Sequence, residues 1–151
     1  MKKEVKIIIT EDDKGHATLI KKNLRRAGIT NKIIHFSSDQ ETLNYLNKEG
    51  DGPKRKSGDP HLLLLDLKMP GIDGLEVLKQ IKEDKELKKL PVIIITTTDN
   101  SVEVEKCHKL GCSSYIVKPV EYDQFINTIK QLGLFLSVVQ IPDINGHNSH
   151  Y

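Results

Sequence analysis

Apolar residues along this chain follow two alternating patterns. Short unbroken runs appear at Val5–Ile9, Lys32–Phe36, Leu62–Leu65, Pro91–Thr96 and Ser114–Val117. Their length and their Val, Ile and Leu content predict strands, and the runs without alternation predict strands buried on both faces. Between them, apolar positions recur at spacings of three and four. Ala17, Ile20, Leu24 and Ala27 form one such stripe, with Lys21, Lys22, Arg25 and Arg26 opposite. Leu43 and Leu46 form a weaker one. Leu75, Leu78 and Ile81, then Val104, Cys107 and Leu110, then Tyr122, Phe125, Ile126, Ile129 and Leu132 complete the set. These predict five amphipathic helices. Gly28 and Gly111 are placed to stop the first and fourth. Ser37 or Ser38 with Glu41 is placed to start the second, and Ser101 the fourth. Five strand–helix alternations predict an α/β doubly wound parallel sheet, with helices on both faces and right-handed crossovers. Residues 47–60 read as a long polar loop, with Lys54-Arg55-Lys56 a solvated cluster. Residues 4–140 form the expected domain, including an extended last helix, and 141–151 a polar tail.

The totals narrow this picture without redirecting it. A chain of 151 residues suits one domain. Its 23 Lys+Arg against 21 Asp+Glu lack the strong basic excess of a nucleic-acid binder. The two cysteines, Cys107 and Cys112, suggest a reducing compartment and no disulfide framework. No apolar run is long enough for a membrane span, and the start lacks a signal-peptide core, so a cytoplasmic location is expected.

The chemistry collects where the runs end. Glu11 and Asp12 follow the first strand, Asp66 the third, Thr96 the fourth and Lys118 the fifth. In open α/β sheets the carboxyl ends of the strands are the ligand-binding edge. Carboxylates crowd together mainly where a cation holds them, and the hard oxygens of Asp12 and Asp66 suit Mg²⁺, with Mn²⁺ as a substitute. The backbone carbonyl of Lys68 is expected to complete the metal shell. An ammonium at Lys118 and a hydroxyl at Thr96 match the oxygens of a phosphoryl group. His16, His35, His61 and His108 show no common grouping.

Glu11-Asp12, Asp66 within Asp-Leu-Lys-Met-Pro-Gly-Ile-Asp-Gly, Thr96, and Tyr115-Ile-Val-Lys118-Pro119 occur in register. Asp66 and Thr96 lie 30 residues apart, and Thr96 and Lys118 lie 22 apart. This constellation resembles the receiver domain of two-component response regulators. The resemblance implies a flavodoxin-like fold with strand order 2-1-3-4-5 and a cis Lys118–Pro119 peptide. It implies that Asp66 is the phosphoacceptor, served by a sensor histidine kinase or phosphotransfer protein, with Glu11, Asp12, Asp66 and Lys68 at the metal and Lys118 and Thr96 catalytic. It also implies that Thr96 and Tyr115 act as a switch that remodels the face of the fourth helix, fifth strand and fifth helix. Glu11 is one methylene longer than the aspartate common there and is expected to reach the metal through water. The Lys68 side chain, two residues past the acceptor, is expected to shield the phosphoryl group from water.

Residues 132–141 are apolar nearly all round. That surplus, with the Gly15-His16 pair, resembles single-domain regulators paired with bacteriophytochromes, in which a terminal extension supports a symmetric dimer. Leu134, Phe135, Val138 and Val139 are the expected homodimer contacts. The alternative is a phosphorylation-independent interaction module on the same fold; it should lack Asp12, Asp66 or Lys118, and none is missing. A hydrolase using an aspartyl phosphate usually places a second acid where Lys68 stands. A GxxxxGK[ST] loop and a helix-turn-helix, marks of nucleotide and DNA binding, are both absent.

Overall fold

The computed structural model describes residues 4–67 and 73–131, with side chains to 128. The expected roles of the Lys68 carbonyl and ammonium, and of Leu134, Phe135, Val138 and Val139, fall outside the described residues, as does the stretch expected to extend the last helix to 140.

The chain runs β1 (Lys6–Thr10), α1 (Lys14–Arg26), β2 (Ile33–Phe36), α2 (Asp39–Asn47), β3 (His61–Leu65), α3 (Gly74–Glu83), β4 (Val92–Thr96), α4 (Ser101–Leu110), β5 (Ser114–Val117) and α5 (Tyr122–Gln131). All pairings are parallel and the strand order is β2-β1-β3-β4-β5, as expected. The Lys118–Pro119 peptide is cis.

The unbroken apolar runs are explained by two cores. Ile7, Ile9, Leu62, Leu64, Ile93 and Ile95 face one side, against Ile20 and Leu24 of α1 and Phe125 and Ile126 of α5. Ile8, Leu63, Leu65, Val92 and Ile94 face the other, against Leu46 of α2, Val77, Leu78 and Ile81 of α3, and Cys107 of α4. Successive strand residues point to opposite faces, so a strand covered twice must be apolar at every position.

Several boundaries differ by a residue from expectation, each for a local reason. β4 begins at Val92, because Pro91 has no N–H and contributes only its carbonyl, to Leu63. The cap of α4 is Asn100, not Ser101: its side chain accepts from the N–H groups of Val102 and Glu103, and Ser101 is already helical. Ser38, not Ser37, caps α2, accepting from Glu41 N–H at 3.2 Å. Gly28, at φ 86°, lets Ile29 N–H reach back to Leu24 O at 3.1 Å and end α1. α2 is anchored more firmly than its two leucines suggested, since Thr42 and Tyr45 are buried with them.

The loop before β3 is tied down. Arg55 donates to Leu46 O at 2.6 Å and pairs with Glu86 at 2.8 Å, so this part of the basic cluster is structural. At the same edge Tyr45 O–H meets His61 Nε2 at 2.8 Å, and Lys6 pairs with Asp59 at 2.7 Å. A cleft of about 340 Å³ opens there beside Arg55, His61 and Leu90. Among the described residues no helix is long and apolar enough to cross a membrane.

Candidate functional site

The site lies at the opposite rim, where the strands end together. Thr10 pairs with both Phe36 and Leu65, and Thr96 pairs with Val117. The hydrogen-bond ladder then continues one residue further. Glu11 N–H donates to Phe36 O at 3.0 Å, Asp66 N–H to Thr10 O at 3.1 Å, and Lys118 N–H to Thr96 O at 2.7 Å. Three functional residues therefore have backbones fixed by the sheet itself, although 107 positions separate the first from the last.

Their side chains meet. The Lys118 ammonium donates to Asp66 Oδ2 at 3.0 Å and also pairs with Glu11 Oε1. Its side chain is 7% exposed, those of Glu11 and Asp66 2% and 6%. Burial works to lower the Lys118 ammonium, but its bonds to Glu11 and Asp66 outweigh that and hold it above its ordinary value. Burial pushes the Glu11 carboxyl up to about 7; the Lys118 bond opposes this and the Asp66 carboxylate adds to it. Asp13 is a cap rather than a ligand: its carboxylate starts α1 by accepting from His16 N–H at 3.0 Å.

Carboxylate oxygens of Glu11, Asp12 and Asp66 all lie within 4.8 Å of one another. Three hard oxygen donors, one of them on the exposed Asp12, form a set that fits a small divalent cation and leaves it open to solvent. Thr96 is fully buried, and its hydroxyl has no hydrogen-bond partner among the described residues. A buried hydroxyl left so is uncommon and suits a group that binds an incoming oxygen. Tyr115 lies one strand over, opposite Ile94, and its O–H donates to Thr98 O at 2.8 Å, linking β5 to the loop after β4. Burial raises its hydroxyl to about 12.

Sequence reasoning missed several neighbours. His16, from the first turn of α1, accepts from the Lys118 ammonium through Nδ1 at 2.9 Å; an ammonium can only donate, so this ring nitrogen carries no proton. The His35 ring donates to Glu11 O at 2.7 Å. Thus two of the histidines that showed no grouping do meet the site. His16 was discoverable in principle, three residues past Asp13 on the helix leaving the rim. Asp39 also faces this rim, buried at the start of α2. Cys107 and Cys112 take no part: both are buried free thiols whose values burial raises to about 12 and about 11.

Comparison with known proteins agrees with the geometry. The model of the response regulator receiver domain matches residues 7–130. A solved receiver domain from Rhodospirillum rubrum is 47% identical, with a TM-score of 0.74, covering 91% of this chain and 97% of that one. The bacteriophytochrome response regulator RtBRR is 38% identical, with a TM-score of 0.80, covering 93% and 85%. Response regulator Rcp1 of Synechocystis is 29% identical over 137 residues, 90% of this chain and 92% of its own. A solved Mn²⁺-bound form of Rcp1 gives a TM-score of 0.71 at 27% identity, covering 92% and 99%. With the match running from the first strand into the last described helix, this chain belongs to the response regulator receiver domain family.

Proposed function

We propose that this protein is a phosphorelay switch in which Asp66 accepts a phosphoryl group from a sensor histidine kinase or phosphotransfer protein. The observation that carries this reading is the Lys118 ammonium 3.0 Å from Asp66 Oδ2, beside the acidic set of Glu11 and Asp12. A carboxylate so placed is a nucleophile poised for in-line attack on phosphorus, with a cation ready for the equatorial oxygens. Mg²⁺, or Mn²⁺ in its place, held by Asp12 and Asp66 with Glu11 behind and the Lys68 carbonyl completing the shell, would neutralise charge on those oxygens.

The residues then act in order. Asp66 Oδ attacks, the bond to the donor nitrogen breaks, and an acyl phosphate forms. Lys118 exchanges part of its bonding to Asp66 and Glu11 for a phosphoryl oxygen. Thr96, with its hydroxyl unengaged, donates to another. Tyr115 gives up Thr98 O and turns inward, and the surface of α4, β5 and α5 changes with it. The protein performs this transfer on itself and its own dephosphorylation, with no metabolic turnover.

The likeness to RtBRR supports a bacteriophytochrome kinase as the donor, in the cytoplasm. The apolar surplus at 132–141 is read as a homodimer contact through Leu134, Phe135, Val138 and Val139. Sedimentation of Phe135→Glu beside wild type tests it; equal masses reject the dimer.

Incubation with acetyl phosphate and Mg²⁺, followed by intact mass, tests the phosphorelay reading. Wild type should gain one phosphoryl group and Asp66→Asn none. No gain by wild type, or an equal gain by the variant, overturns it and leaves the phosphorylation-independent interaction module.

A further inference from the structure

Among the described residues, Asp39 is a buried acid at the rim whose role the transfer reaction leaves unexplained. It opens α2, directly after the Ser38 cap. β2 ends level with β1 through the Phe36–Thr10 pairing, so α2 starts at the rim where Glu11 and Asp12 emerge. One turn further along, Thr42 rests its hydroxyl on Thr10 Oγ1 at 2.6 Å, and Leu43 enters the core. Residues three and four apart share a helix face, so Asp39 lies above Thr42 on the side toward the sheet.

Its residue surface is 1% exposed, and neither carboxylate oxygen has a hydrogen-bond partner among the described residues. Among the described residues, the charged groups that act on it are acids: Asp66 at the end of β3, Asp73 at the cap of α3, and Asp12 after β1. Burial above all, and these neighbours next, push its carboxyl up to about 6. A buried carboxylate without a hydrogen-bond partner among the described residues, near three other acids, is strongly disfavoured in its charged form. The positive end of one helix offsets only a small part of that cost. A hydrated cation held by Glu11, Asp12 and Asp66 relieves the conflict.

We propose that Asp39 is a fourth acid of the divalent-ion site, binding from the α2 side through hydrogen bonds to water molecules on the ion. This rests on the divalent-ion reading above and adds a residue to it. Mg²⁺ and Mn²⁺ keep several waters, and those waters need acceptors. Asp39 thus orients the ion's hydration shell; it is a positioning residue and does not touch phosphorus. Partners in such outer positions typically change metal affinity 10–100-fold.

The test is Mn²⁺ binding to unphosphorylated protein, read from the resonance of the free aquo ion, with melting in EDTA measured in parallel. Wild type, Asp39→Asn, Asp39→Ser and Asp12→Asn are compared. Asp39→Asn should bind Mn²⁺ about tenfold or more weakly, while its metal-free form melts at or above wild type because a buried charge is gone. Asp39→Ser supplies the same comparison if the amide fails to fold. Unchanged affinity in a folded Asp39 variant overturns the proposal, as does a lower metal-free melt with no loss of affinity, the signature of a purely structural acid. If wild type binds Mn²⁺ and Asp12→Asn abolishes it while Asp39→Asn does not, this inference fails and the divalent-ion reading stands. If wild type binds none, both fall.

Discussion

Lys118 is the only cation bonded to Glu11 and Asp66 among the described residues, and its removal should be felt by the whole domain. In Lys118→Met the stem is kept and the charge is lost. At 3.0 Å and an effective dielectric near 20, the attraction to Asp66 alone is about 5 kcal/mol. The ammonium's own desolvation recovers part of this. Removing one partner of a buried ion pair therefore leaves a net loss of roughly 3–5 kcal/mol. For a domain of this size that is a fall of about 10 °C in Tm.

The loss must also depend on pH, with a definite sign. In wild type Glu11 titrates at about 7, above its ordinary 4.5. The folded state therefore holds that proton more tightly than the unfolded chain, and stability falls as pH rises through this window. Without Lys118 the group titrates higher still, so in the variant the fall continues beyond the wild-type value. The gap between the proteins should be widest near about pH 8 and smaller near about pH 5.5, where Glu11 is protonated in both and the loss of the Asp66 partner remains. Urea melts followed by far-UV circular dichroism, in EDTA at those two pH values, measure it. Equal stability at the higher pH, or a gap of the same size at both, would refute the reasoning.

Three further outcomes are expected. Metal-free wild type should lose roughly 3 kcal/mol between pH 4.5 and about 7 through Glu11, and excess Mg²⁺ should flatten that slope in urea melts. Thr96→Val should leave metal-free stability unchanged or raise it by up to about 1 kcal/mol, since the lost hydroxyl has no partner among the described residues, while labelling by acetyl phosphate followed by mass declines. Gly74→Ala should lower stability by about 2–3 kcal/mol in the same melts, because a Cβ there would sit 2.7 Å from Leu67 Cα.

The architecture was legible because a strand covered on both faces leaves an unmistakable trace. Leu62–Leu65 and Val92–Ile95 tolerate no polar residue, so Asp66 and Thr96 stood out where the runs stopped. The caps of α2 and α4 were legible to within a residue, while those of α1 and α3, Asp13 and Asp73, did not stand out as caps; Ser101 and Asn100 are equally good capping types, and only the backbone decides between them. Asp39 was not legible as a rim residue, and His16 only through its place just past the acids that end β1. Periodicity tells which residues share a helix face but not which strand end that face overlooks. Arg55 was hidden for a related reason: in sequence it is one of three bases in a polar loop, and only the fold reveals the Leu46 carbonyl and Glu86 it holds.

Because every strand runs the same way, the sheet has an entrance edge and an exit edge, and the two tolerate change differently. Extra residues between α2 and β3 lengthen a loop on the entrance side and leave the spacing of Glu11, Asp66 and Lys118 untouched. A single residue added inside β1 or β3 exchanges the two cores and turns a carboxylate away from the ammonium. Chain length at one edge is therefore free to drift or to accept grafted segments, while at the other the geometry is locked by residue count.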